Sequence, residues 1–177
     1  TPGRGIETMF RVTLNNHTML SQIADSKANI LLSVNAIIIS VALSTIVPKL
    51  DSPNNSHLII PTFLMVAFCV ATVILAIMST RPKISSGTFT RKEIEERKIN
   101  LLFFGNFHKV PQDEYMWAMK EMMKDSNYLY DSMIKDLYQL GIVLDRKYRI
   151  LRTTYTVFTI GLLVSVIAFF ISVKMIY

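Results

Sequence analysis

The sequence predicts an all-α membrane protein in which three transmembrane helices carry long cytoplasmic helical extensions that form a bundle. Three stretches, 28–48, 52–80 and 153–173, contain no Asp, Glu, Lys or Arg. Each can cross a bilayer, because a helix that rises about 1.5 Å per residue needs about 20 apolar residues to do so. The alternation of apolar and polar residues that marks a half-buried strand occurs nowhere in the chain.

The first helix is predicted over residues 6–28 on the cytoplasmic side, and it continues without a break into a first span at 29–47. Residues at spacings of three and four fall on one face of it. They are Met9, Val12, Asn16, Met19, Ile23, Ser26 and Ile30. Pro48 ends the span because it has no N–H to donate. The outer loop 49–57 leads to a second span at 58–78.

A cytoplasmic linker is predicted over residues 79–110, with a short helix at 91–104. Thr90 is followed three residues later by Glu93. This spacing is a capping box, in which each of the two side chains accepts a hydrogen bond from a backbone N–H at the start of a helix. We therefore expect the short helix to begin directly after Thr90.

The next helix is predicted over residues 111–152 and runs on into a third span at 153–174. It carries a sustained heptad, which is typical of the seam of a helical bundle. The heptad residues are Met116, Met119, Met123, Ser126, Tyr130, Met133, Leu137, Leu140 and Leu144. Because methionine adapts its shape, a binding groove is the alternative interpretation of the same seam.

The basic residues indicate how the chain is oriented in a membrane. The net charge is +6, and segments 1–27 and 81–152 hold three and fourteen of the 19 basic residues. The 49–57 loop and the C-terminal tail hold one each. Basic residues favour the cytoplasmic side, so the N-terminus is expected in the cytoplasm and the C-terminus outside. The same charges would contact membrane lipids, whereas no motif for nucleic-acid binding appears.

Residues that could support catalysis do not cluster in this sequence. The three histidines, His17, His57 and His108, lie in different segments, and the lone cysteine, Cys69, lies within a predicted span. The spacings that bind a metal and the Gly-rich loop that binds a nucleotide phosphate are missing. We therefore expect no enzymatic activity, no catalytic residue, no metal and no cofactor.

Each predicted span carries one face of small or polar residues, which lets helices approach closely and hydrogen-bond. On the first helix this polar stripe consists of Asp25, Asn29, Ser33, Ala36, Ser40 and Ser44. On the second span it consists of Thr62, Met65, Cys69, Thr72, Ala76 and Ser79, and on the third of Thr154, Gly161, Ser165, Ala168 and Ser172. Packing within one chain, packing between subunits of a homo-oligomer, and a pore lining remain open for these faces. If the first stripe lines a path, Asp25 and Asn29 are expected to control it.

The linker contains a candidate contact for a phosphate or nucleotide. It combines basic side chains with hydroxyl groups near a helix N-terminus, a combination that can hold an anion. The residues are Arg81, Lys83, Thr90, Arg91 and Lys92. The alternative is a juxtamembrane linker whose basic residues contact lipid headgroups.

Four segments resemble the Pycsar-type transmembrane effector domain. They are GRGIETMFR at 3–11, ADSKANI at 24–30, GTFT at 87–90 and NLLFFGNF at 100–107. The resemblance implies a role in bacterial anti-phage signalling, in which a cyclic pyrimidine nucleotide activates an effector that impairs the inner membrane by a pore or by disruption.

Relatives of this kind often carry an HD-type phosphohydrolase domain upstream. The chain begins Thr1-Pro2-Gly3 rather than with Met, so we expect residues 1–177 to be one membrane effector domain within a longer protein. The resemblance therefore also leaves an alternative function, in which the chain is a non-enzymatic anchor or oligomerisation module for such an upstream domain.

Overall fold

The computed structural model describes residues 2–81 and 87–174, and within these ranges the chain is helical and has no strand. Five α-helices follow in order: α1 (Pro2–Val41), α2 (Ile59–Thr80), α3 (Arg91–Glu95), α4 (Gln112–Lys124) and α5 (Ser126–Lys174). Shorter helical turns are a π-helical turn at Ala42–Ile46 and 3-10 turns at Val47–Lys49, Pro53–Leu58 and Phe104–Asn106. Three helical segments, Gly3–Lys49, Pro53–Thr80 and Ser126–Lys174, are long and apolar enough to cross a membrane. The predicted all-α membrane fold is therefore confirmed.

The chain divides into two compact units. Among the described residues, 21–81 and 145–174 form one unit, here called the membrane unit, and 2–20 and 87–144 form the other, the extramembrane unit. Helices α1 and α5 contribute residues to both.

The core of the membrane unit combines three alanines with two leucines. Ala24, Ala28 and Leu31 of α1 pack with Ala76 of α2 and Leu151 of α5. At the alanines the helix backbones can approach closely, and van der Waals packing then holds helices together in lipid.

The extramembrane unit has a more conventional apolar core. Ile94 of α3, Leu101 of the following loop, Ala118 and Met122 of α4, and Tyr128 of α5 are buried together. The predicted capping box is present at its edge, because Thr90 Oγ1 accepts from the backbone N–H of Glu93 and the Glu93 carboxylate accepts from that of Thr90.

Helix α3 ends after Glu95 and not at Phe104 as the sequence predicts. Arg97 has a positive φ of 55°. The N–H of Lys98 donates to the carbonyl of Glu93 and that of Arg97 to the carbonyl of Ile94, which is the Schellman arrangement that ends a helix. The predicted helix at 91–104 is thus corrected to a single short turn followed by a loop.

The predicted helix at 111–152 is interrupted at Asp125. This residue is extended, with φ −121° and ψ 109°. Its Oδ1 accepts from the N–H groups of Asn127 and Tyr128 at 2.9 and 3.4 Å, so Asp125 acts as the N-cap of α5. The break also changes the buried face of α4, since Met116 and Met123 of the predicted heptad are exposed.

Candidate functional site

The polar stripe of α1 is the most exposed of the three. Asn29, Ser33, Ala36, Ser40 and Ser44 are all exposed. The buried face of the same helix is instead formed by Ala24, Ala28, Leu31, Asn35 and Ala42. The polar stripe beyond Asp25 is therefore left uncovered by the packing of this chain.

The corresponding stripes of α2 and α5 point inward. Thr62, Cys69, Thr72, Ala76 and Ser79 of α2 are buried, as are Thr154, Gly161, Ser165 and Ser172 of α5, while Ala168 is half-buried. The Thr72, Thr154 and Ser165 hydroxyls each donate to the carbonyl four residues earlier in their own helix. A side chain at position 161 would place its Cβ 2.5 Å from the Cβ of Phe68, so α2 and α5 meet closely at this glycine.

Asp25 has an ion-pair partner that is distant in sequence. Lys147 Nζ lies 2.8 and 2.9 Å from the two carboxylate oxygens of Asp25 and 2.9 Å from Ser21 Oγ. The Lys147 side chain is only 17% exposed, against 39% for Asp25. The Ser79 hydroxyl also donates to the Lys147 carbonyl at 3.4 Å. Residues of α1, α2 and α5 are thus joined at one point by polar contacts, and the sequence did not identify Lys147 as part of it.

A cavity of about 190 Å³ lies among the three helices of the membrane unit. Asn35 lines it and is fully buried. Its Nδ2 donates to the carbonyl of Leu31 at 2.7 Å, whereas its Oδ1 has no hydrogen-bond partner in the described part of the chain. A role for Asn35 was not predicted from the sequence, because this residue lies off the polar stripe. An amide side chain within an apolar span is the feature that could have identified it.

The extramembrane unit carries a groove of about 340 Å³ that combines charge with apolar surface. Its lining residues are Glu7, Phe10, Arg11, Leu14, Leu102, Met133, Asp136 and Leu137. The Arg11 side chain makes no ion pair with any described residue. The Phe10 ring stacks on that of Tyr130, with the ring centroids 6.2 Å apart.

One wall of this groove is fixed by a buried amide. Asn100 Nδ2 donates to Asp136 Oδ1 at 2.9 Å, and Asn100 Oδ1 accepts from the N–H of Leu102 at 3.0 Å. The Asn100 carbonyl also accepts from Asn106 Nδ2 at 2.8 Å. These bonds hold the 100–106 loop against α5. In the sequence, this segment is distinguished only by its family resemblance, and the roles of Asn100 and Asp136 were not predicted.

Three of the five predicted phosphate contacts, Thr90, Arg91 and Lys92, are engaged with other protein groups. Arg91 forms a two-point ion pair with Glu114, at 2.9 and 2.6 Å, and lies over the Trp117 ring. The hydrogen bond between them raises the pKa of Arg91 and lowers the pKa of Glu114. Lys92 Nζ lies 3.9 Å from the Glu96 carboxylate. The Thr90 hydroxyl caps α3, Arg81 is exposed after α2, and Lys83 lies outside the described residues.

The described residues contain no group of three or more His, Cys, Asp or Glu side chains that could hold a metal ion.

Comparison with known protein families shows where this chain belongs. The family model for the Pycsar effector protein domain matches residues 8–172. No curated protein and no solved structure matches the chain significantly. The match begins within α1 and ends two residues before the end of α5, and it includes the cavity of the membrane unit, the groove residues other than Glu7, and the 100–106 loop. The chain therefore belongs to the Pycsar effector domain family, and it is a membrane effector of anti-phage signalling.

Proposed function

We propose that several copies of this chain assemble in the bacterial inner membrane and, when activated, make that membrane permeable without enzymatic chemistry. The observation that carries the proposal is the exposed polar stripe of α1. In lipid, an amide and several hydroxyls gain little from contact with acyl chains and are favoured where another helix or water meets them. The stripes of α2 and α5 are already covered within the chain, so the stripe of α1 is the one free to meet a second copy or a water path.

The number of spans also favours an assembly. Three helices pack against one another around a core of alanine and leucine side chains, and three helices are few to enclose a conduit on their own. A ring of copies that places α1 at its centre would bring several copies of Asn29, Ser33 and Ser40 together. Closed rotational symmetry is the common form of such assemblies.

The proposed orientation puts the N-terminus in the cytoplasm and the C-terminus outside, as the asymmetry of basic residues favours. Cysteine labelling at Asn55 and Ser126 in intact cells tests it. A membrane-impermeant reagent should label position 55 and spare position 126. Labelling of position 126 alone would indicate the opposite topology and reject this part of the proposal.

We further propose that the activating ligand is a cyclic pyrimidine nucleotide and that it binds the groove at Arg11. The unpaired guanidinium suits a phosphate, the apolar floor of Leu14, Met133 and Leu137 suits a base, and Asp136 can accept from an exocyclic amino group. The groove is thus a better candidate than the 81–92 segment, where Arg91 and Lys92 have carboxylate partners.

Membrane leakage tests the effector proposal. The full-length protein is expressed with its activating nucleotide, and entry of propidium iodide into cells is measured. Asn29→Leu combined with Ser33→Leu should abolish entry, because leucine removes the polar groups of the stripe. The matched control is Val34→Leu with Ile37→Leu, two exposed apolar residues of the same helix, which should leave entry unchanged.

Two outcomes would contradict the proposal. If the stripe variant inserts normally and still admits the dye, the stripe only packs against lipid or protein. If the parent protein never admits the dye under any cyclic nucleotide, the anchor function for an upstream phosphohydrolase becomes the better explanation.

Calorimetric titration with cyclic UMP and cyclic CMP tests the ligand site. Arg11→Gln should weaken binding at least tenfold, because a charge-assisted hydrogen bond to phosphate is lost. Arg4→Gln, two turns earlier on α1 and also exposed, is the control and should bind as the parent does. Equal binding by both variants would remove the ligand from this groove.

A further inference from the structure

We propose that the cavity in the membrane unit is a binding site for a small, uncharged, membrane-soluble phenol, whose hydroxyl group donates a hydrogen bond to Asn35 Oδ1. This site is independent of the proposed leakage and of the nucleotide groove. Its support comes from the unsatisfied acceptor, from the lack of a free hydroxyl group among the described residues of the cavity wall, and from the size and lining of the space.

The first step concerns the acceptor. Asn35 lines the cavity and its side chain is fully buried. The amide donates to the Leu31 carbonyl at 2.7 Å, which fixes which of its two ends is the oxygen. That oxygen has no partner among the described residues. A buried acceptor without a partner is costly in an apolar environment, so a molecule that supplies a donor is bound favourably here.

The second step concerns the donors in the wall. Thr72 and Ser165 both line the cavity, but their hydroxyl protons are used by the carbonyls of Phe68 and Gly161, at 2.8 and 2.7 Å. Cys69 offers only a weakly donating thiol. A molecule that fills the cavity can therefore supply a stronger donor to Asn35 Oδ1 than the wall itself offers.

The third step concerns size and shape. The cavity holds about 190 Å³, somewhat more than the roughly 150 Å³ engineered cavity that binds benzene. The side chains of Phe68, Phe158 and Phe169 line it, and these rings favour an aromatic guest in a stacked or edge-to-face arrangement. One substituted ring is therefore the expected body of the ligand.

The fourth step concerns charge and access. No charged side chain is among the lining residues, so an ion would be desolvated without a partner, and the ligand must be neutral. Asn35 lies six residues into the predicted first span, which is about 9 Å along the helix. Leu162 and Val166 are exposed members of the lining. A lipid-soluble molecule would therefore enter from the bilayer.

Fluorine NMR on the full-length protein in lipid nanodiscs tests the proposal with two probes. 4-Fluorophenol carries the donor, and 4-fluoroanisole has nearly the same body but no donor. Each dissociation constant is corrected for the measured partition of the probe into protein-free nanodiscs. We then expect 4-fluorophenol to bind about threefold to tenfold more tightly than 4-fluoroanisole, which corresponds to one hydrogen bond between neutral groups. Asn35→Leu should abolish this preference. Asn29→Leu, the same substitution at an exposed position of the same helix, should retain it.

Each other result overturns the proposal. Equal affinities of the two probes for the parent protein would mean that the cavity selects for apolar volume alone. Absence of saturable binding by either probe would mean that the space holds at most water. A preference that survives Asn35→Leu would place the acceptor elsewhere. Because the two-probe comparison on the parent protein needs no variant, equal affinities overturn the proposal even if Asn35→Leu fails to insert.

Discussion

Removal of the Lys147 ammonium group is expected to destabilise the membrane unit. Lys147 bonds to both oxygens of Asp25 and to Ser21, at 2.8 to 2.9 Å. In Lys147→Met the methionine fills a similar space, but the Asp25 carboxylate loses its charge partner close to the membrane boundary. Exposed ion pairs contribute about 0–1 kcal/mol, and breaking a buried pair costs about 3–5 kcal/mol. With one partner mostly buried and the other about two-fifths exposed, we expect an intermediate loss of about 2 kcal/mol.

A double-mutant cycle isolates the interaction itself. Asp25→Asn should also destabilise the unit, because it leaves the more buried ammonium unpaired. Combined with Lys147→Met, it should cost about 1 kcal/mol less than the sum of the single changes, since residues in direct contact are coupled. Denaturant unfolding in mild detergent, followed by far-UV circular dichroism, measures all four proteins.

A control variant and a refuting result complete this test. Arg149→Met removes an ion pair with Asp145 in which both side chains are mostly exposed, at 77% and 64%, and should cost less than about 0.5 kcal/mol. If Asp25→Asn and Lys147→Met are additive within about 0.3 kcal/mol, the pair contributes nothing specific, and Asp25 must be stabilised by water instead.

Three further predictions concern two glycines and the pH dependence of the extramembrane unit. Gly161→Ala should weaken the packing of α2 on α5 by about 1–3 kcal/mol, because its Cβ would lie 2.5 Å from that of Phe68. Gly141→Ala, whose Cβ would meet its nearest neighbour at 3.8 Å, should be neutral or stabilising, and thermal unfolding of both variants measures the difference. Gly87→Ala should cost at least about 1–2 kcal/mol, since φ is +78° and the new Cβ would lie 2.2 Å from the His108 ring. Gly5→Ala, with open space around it, is its control, and equal melting temperatures for the two would contradict the strained turn. The pKa of Glu114 is lowered by its hydrogen bond with Arg91, and that of Asp125 by the N–H of Asn127. The contribution of these two carboxylates to the stability of the extramembrane unit should therefore be complete above about pH 4–5. It should be lost as the pH falls through their lowered pKa values. A melting temperature that does not fall between pH 5 and pH 3, or that falls equally in Glu114→Gln, would refute this.

The sequence alone was sufficient for those features that depend on neighbouring residues. Three uncharged stretches of about 20 residues or more specify membrane helices, because the cost of charge in lipid and the length of a helix are local properties. The capping box at Thr90 and Glu93 needs only a spacing of three residues, and the structure contains it. The helical segment that continues from α1 ends at Lys49, next to Pro48, as the missing N–H of proline predicts.

Tertiary structure decided the features in which two local preferences compete or two distant residues meet. The three polar stripes share the same periodicity, and only the packing of α1 against α2 and α5 determines that the stripe of α1 is exposed while the others are covered. Asp125 fits either a helix interior or an N-cap, and the contacts of Met122 and Tyr128 in the core favour the break. The partner of Asp25 lies 122 residues away, and the cavity at Asn35 is formed by three separate helices. Such sites depend on how the helices pack against one another, and no local pattern of residues specifies that packing.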